Sequence, residues 1–206
     1  MQDDSPPELY IASSLDTREL DRALHISLLG TEKIEQPATF LTSSESTVEI
    51  DWERWIEGPF QTVIAPAFVA IFEATHATHH ADIVRHDSRL NKALDPELQA
   101  RSLAAARIFL ERKSDVRHMS QWVRFEEKLV SGEASGHLSS LFAIQAALFS
   151  VPLFSSLISY ARLEWKAALP DRDPIADSVF EHVTPVVRAC VSPTATGEDT
   201  EFLRVV

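Results

Sequence analysis

Apolar residues recur along this chain at three- and four-residue intervals, and no segment alternates convincingly with period two, so the pattern predicts helices throughout. The first helix starts at Asp16, where the aspartate as N-cap and Glu19 three positions on resemble a capping box. Leu20, Leu24 and Leu28 form its stripe and Gly30 its stop. From Thr31 to Thr47 the periodicity disappears into Ser, Thr, Pro and Glu, which reads as a loop. A short helix then carries Trp52, Trp55 and Ile56 up to Gly58-Pro59. A long helical segment follows from about Phe60 to Lys92, with Pro66 kinking it or opening a new helix.

Asp95-Pro96-Glu97 is a helix start with an N-cap acid, proline at the first position and an acid in the first turn. Its helix runs through Leu98, Ala105 and Phe109 to about Lys113. Ser114-Asp115 opens another, with Trp122, Phe125 and Leu129 on one side and Gly132 after it. The span Leu138 to Ala161 holds no charged residue and predicts a buried helical hairpin hinged at Pro152. Asp173-Pro174 begins a last helix with Ile175, Val179, Val183, Val186 and Val187. The expected fold is all-α: a single-domain bundle of about seven helices over residues 15–191, with a flexible leader at 1–14 and a flexible tail at 192–206.

Residues 74–90, ATHATHHADIVRHDSRL, contain four histidines and two aspartates. If residues 69–94 form one helix, with about 100° per residue, Val69, Phe72, Ile83, Leu90 and Leu94 lie within roughly 40° of His76. His80 and Asp87 fall inside that stripe, and Glu73, His79 and His86 lie at its borders. Polar groups on a buried face must find partners there. The leading reading is that these side chains are hydrogen-bonded in the core or line a groove for a partner. A second reading is a metal site: Glu73 and His76 make a Glu-x-x-His pair, and His76 and His80, with Glu73 or Asp87, could hold one zinc or nickel ion. His86-Asp87 also matches the adjacent pair of HD-type phosphohydrolases, without the flanking residues that chemistry requires.

Composition narrows the function classes. With 206 residues, 45% hydrophobic and 24% charged, the chain is sized for one buried core. The net charge of −12 and the absence of a Lys/Arg cluster argue against nucleic acid as a partner. Cys190 is the one cysteine, which excludes an internal disulfide. The N-terminus, MQDDSPPELY, lacks the pattern of a secretory signal, so a cytoplasmic location is expected. Gln145, Pro152 and six serines in the uncharged span make a membrane crossing an unfavourable reading of it. No phosphate-cradling glycine loop occurs, so no cofactor is assigned. Ser139 and Ser140 near His137 lack a nucleophile elbow and read as helix-start serines.

Several segments resemble the UreF-type urease accessory proteins. These are Glu73-Ala74 through Asp82 to Asp87, then Asp95-Pro96-Glu97-Leu98-Gln99-Ala100-Arg101-Ser102, with Ala106 and Arg107 where the family has glycine and arginine. Gly136-His137-Leu138 with Phe142 is similar to the family's Gly-His-x-x-x-x-Phe, Arg162-Leu163 to its Ala-x-Arg-Leu, and Val183-Thr184-Pro185-Val186-Val187 to its closing Leu-x-Pro-x-Ile. The resemblance covers roughly residues 60–190. The family's glycine-rich Leu-Pro-x-Gly-x-Phe element has no counterpart before residue 60, and the chain is shorter than the family between Pro152 and Pro185.

The resemblance implies a helical, non-enzymatic scaffold that assembles a nickel-delivery complex with a GTPase and a second accessory chain, acting on urease. An acidic surface would then select basic patches on partners. Trp52 and Trp55 read as interface anchors or as core, and Phe202, Leu203, Val205 and Val206, with Glu201 and Arg204 between them, as a tail that orders on a partner. The alternatives are a metal-binding helical enzyme using Glu73, His76, His80 and Asp87, or a structural subunit of a larger assembly. A homodimer is left open.

Overall fold

The structure is a computed structural model that describes residues 36–42, 46–111, 119–172 and 179–192. The predicted leader, the helix from Asp16 to Gly30, the starts at Ser114-Asp115 and Asp173-Pro174, and the tail with Phe202, Leu203, Val205 and Val206 lie outside the described residues.

Among the described residues the chain is all helical, without strands, in an α-helical bundle. In order, the elements are α1 (Val48–Trp55), a wide-turned π segment (Ile56–Ile64), α2 (Ala65–His76), α3 (His80–Ala93), α4 (Pro96–Glu111), α5 (Ser120–Val130), α6 (Leu138–Leu148), α7 (Leu153–Ala168) and α8 (Val179–Val191). The first three make one helical run, so the described residues hold seven such runs.

That first run is long and apolar enough to cross a bilayer by length and composition. Here it is bent at Gly58, whose φ of −102° and ψ of −109° leave the helical region just before Pro59 removes a backbone donor. Its Phe60, Ile64, Phe68 and Ile71 are fully buried.

The predicted hairpin in the uncharged span is present, and it is the centre of the molecule. Residues Leu138 to Ala147 of α6 are buried on every side, as expected of a helix without a polar face. α2, α4 and α7 pack around α6, and α8 closes over α7, α2 and the π segment. The ring contacts Phe68–Phe142, Phe109–Phe142 and Phe142–Tyr160 tie three of these helices to α6 or to each other.

The single helix expected over residues 69–94 is not formed. α2 ends at His76, the chain turns through Ala77, Thr78 and His79, and α3 runs back along α2 as far as the π segment. The stop is built like a glycine C-cap: Thr78 takes a φ of +59°, and the His79 amide donates to the Ala74 carbonyl at 2.8 Å. A β-branched residue carries that left-handed turn at a cost. Burial of Ile83, Asp87 and Leu90 against neighbouring helices offsets it.

Two of the predicted ends that fall among the described residues appear where the sequence put them, whereas the stop expected at Gly58-Pro59 is a bend within a continuous helical run. Asp95 Oδ1 accepts the amides of Glu97 and Leu98, opening α4. Gly132, at φ +75°, ends α5.

Candidate functional site

The break at Thr78 takes apart the predicted histidine stripe. Glu73, His76 and His79 are exposed, His80 and His86 are half-buried, and Asp87 is buried. The expectation that His76 faces protein is therefore corrected: its ring lies edge-on to Phe72 at 4.7 Å, with the rest open to solvent. Among the described residues no group of three or more His, Cys, Asp or Glu is placed to share a metal ion, so Glu73, His76, His80 and Asp87 are not brought together as ligands.

Asp87 has a different task. Its Oδ2 accepts the amides of Ser135 at 2.6 Å and Gly136 at 3.0 Å, and its Oδ1 accepts that of His137 at 3.3 Å. These N–H groups lie just before the first turn of α6, where a carboxylate is favoured by the helix dipole. Ser102 of α4 adds its hydroxyl oxygen as acceptor for the Leu138 amide at 3.3 Å. His137 Nε2 lies 3.0 Å from Asn91 Oδ1, which also accepts from Gln99 Nε2. In its Nε2-protonated tautomer His137 donates to Asn91 Oδ1. Burial holds the His137 imidazole below its ordinary value, against the pull of Asp87.

Four residues quoted for the family resemblance, Asp87, Ser102, Gly136 and His137, thus meet at one junction of α3, α4 and α6. The Ser139, Ser140 and His137 group is fully buried, and neither His137 Nδ1 nor Ser140 Oγ has a hydrogen-bond partner among the described residues. The two do not form a nucleophile–base pair.

Trp52 and Trp55 are core. They form an aromatic cluster with Phe40, Phe60, Tyr160 and Trp165, with centroid separations from 4.8 to 6.3 Å. The interface-anchor reading of the pair is corrected accordingly, because both indoles are buried within the chain itself. Beside them lies a group the sequence did not reveal. Glu164 is fully buried and accepts the Thr39 amide and hydroxyl, each at 2.7 Å, and the Tyr160 hydroxyl at 2.8 Å. Burial raises the Glu164 carboxyl above its ordinary value, and it raises the Tyr160 phenol with the help of the neighbouring acid. Arg101 Nε donates to the Thr39 carbonyl at 2.7 Å, completing the attachment of residues 36–42.

A concave feature lies between α3 and α5 among the described residues. It encloses about 290 Å³ and is lined by His80, Ile83, Val84, Arg124, Phe125, Glu127 and Lys128. Ile83, Val84 and Phe125 make an apolar floor. Burial, and then the nearby Arg124 guanidinium, hold the His80 imidazole below its ordinary value. Lys128 is engaged by Glu133 at 2.7 Å. Arg124 is exposed and has no hydrogen bond or ion pair among the described residues. Of the expected site residues among the described ones, only His80 reaches this groove. Arg124 and Lys128 were missed because nothing in sequence spacing pairs α5 with α3.

Compared with protein-family models, curated proteins and solved structures, the chain gives no match.

Proposed function

We propose that this chain is a non-enzymatic helical scaffold that binds other proteins through the face formed by α3 and α5. The observation that carries the reading is the α3–α5 groove, whose apolar floor sits beneath a guanidinium that has no ion pair among the described residues. Apolar floor with a few polar groups at the edge is the usual chemistry of a recognition site. The same helix α5 carries Val123 and Val130, two of the three exposed large apolar side chains among the described residues. Beneath it, Asp87 ties α3 to the start of α6, so the face stands on a rigid support.

The resemblance to UreF-type proteins suggests the partners: a GTPase and a second accessory chain that together deliver nickel to urease. The convergence of Asp87, Ser102, Gly136 and His137 at one junction is in keeping with it, because it gives a packing reason for the segments that carry the likeness. The test is co-expression of the full chain with the urease-type GTPase and second accessory chain of its own source, followed by size-exclusion chromatography. Co-elution in fixed stoichiometry is expected for the native chain and loss of it for Arg124→Glu. Separate elution of all three chains at roughly tens of micromolar, where an assembly of micromolar affinity would form, would overturn the reading.

A further inference from the structure

The groove between α3 and α5 has the chemistry of one ligand class more than any other. Its floor is aliphatic and aromatic, from Ile83, Val84 and Phe125. Its charged groups are unequal in availability: Lys128 is held by Glu133, while Arg124 is free among the described residues. His80 faces the same space from the first turn of α3, where the helix dipole adds positive potential. Asp82, two positions after His80 on α3, is paired with Arg85 at 3.0 Å. Glu127 stands at the lip as the one acid lining the groove.

We propose that this groove takes a peptide segment of a partner protein in which a single Asp or Glu adjoins a bulky apolar residue. The carboxylate would lie between Arg124 and His80, and the apolar side chain on Ile83, Val84 and Phe125. Arg124 offers a planar fork that matches a carboxylate bidentately. A run of acids would meet Glu127 and the overall charge of −12, so the occupant carries one carboxylate rather than a cluster. A volume of about 290 Å³ accommodates one or two side chains rather than a folded element or a large cofactor. The inference rests on the scaffold reading above and adds to it the chemistry of what is bound.

The test titrates the full chain, by amide proton–nitrogen NMR, with the acetylated and amidated peptide Ala-Glu-Phe-Leu-Ala. Its analogue with glutamine for glutamate and the free acid 3-phenylpropionate are run beside it. Expected are shift changes confined to the groove-lining residues, and about tenfold weaker binding of the glutamine analogue. The Arg124→Ala chain should lose a similar factor for the acidic peptide and nothing for the analogue. Arg124 is exposed, so an unchanged melting temperature for Arg124→Ala verifies that the fold is intact.

Equal affinity for the two peptides, shifts mapping elsewhere, no binding at millimolar peptide, or tighter binding of 3-phenylpropionate than of the peptide would each overturn the proposal. Chromatography of the partner complex keeps the two levels apart. If the native chain assembles with the GTPase and accessory chain while the peptide fails to bind it, the peptide inference falls and the scaffold reading stands. If the native chain binds neither, both fall.

Discussion

Glu164 and Thr39, 125 residues apart in the chain, are joined by two hydrogen bonds of 2.7 Å, from the Thr39 amide to Oε2 and from its hydroxyl to Oε1. The carboxyl is fully buried in α7 and holds the loop at residues 36–42 over the aromatic cluster of Trp52, Trp55 and Trp165. A buried acid with three donors aimed at it is costly to strip of either side of the arrangement.

Glutamine at this position can keep one oxygen for the Thr39 amide and turn its NH₂ toward the Thr39 and Tyr160 hydroxyls, which rotate to accept. Glu164→Gln should therefore stay within about 1 kcal/mol of the native stability at neutral pH. Glu164→Leu leaves the donors unpaired and should cost about 2 to 4 kcal/mol. Urea unfolding of the three proteins checks both.

The pH dependence follows from the same group. The Glu164 carboxyl is raised in the fold above 4.5, so its contribution is full below pH 4.5 and declines as the pH rises through the folded value. Glu164→Gln removes that slope, and its stability relative to the native chain should grow as the pH is raised above 4.5. His80, His86 and His137 act on the opposite side. Burial lowers all three below 6.5, so their contribution is present above pH 6.5 and is lost as the pH falls through the folded values. His137→Gln, which preserves a donor toward Asn91, should flatten the loss below pH 6.5 in denaturation curves run across the range.

Asp87→Ala should cost about 3 kcal/mol, because three backbone N–H groups before α6 lose their acceptor. Hydrogen exchange localises the effect: the amides of Ser135, Gly136 and His137 should lose protection ahead of the rest of the molecule.

Gly136 sits at φ +74°, and a Cβ there would collide with the Leu129 side chain. Gly136→Ala should be destabilising by about 2 to 4 kcal/mol through backbone and crowding together. Adding Leu129→Ala removes the collision alone, so the melting temperature of the double variant should show the crowding part missing from the sum of the single effects.

How much of this was legible in the sequence depended on whether the information was local. Asp95, Gly132 and Pro152 marked helix ends through their own backbone preferences, and the uncharged run after His137 announced a helix buried on all sides. The break at Thr78 had no such mark, since a β-branched residue is a poor candidate for a left-handed turn and tertiary packing imposed it. That one break undid the histidine wheel, because a stripe computed across Ala77 to His79 assumes a continuous helix. Asp87 could be read as a polar group inside an apolar face that needed partners. The identity of those partners, 48 to 50 positions away, could not be read. Glu164 with Thr39, and Arg124 with His80, are likewise products of packing between distant elements.

The most direct test of the scaffold account is hydrogen–deuterium exchange on the full chain, free and mixed with the urease-type GTPase and second accessory chain. The account predicts new protection on binding in the peptides covering residues 80–84 and 124–128, with the α6 core unchanged. A stable complex whose protection leaves both segments as mobile as in the free chain, or mixtures whose exchange matches the free chain throughout, would contradict it.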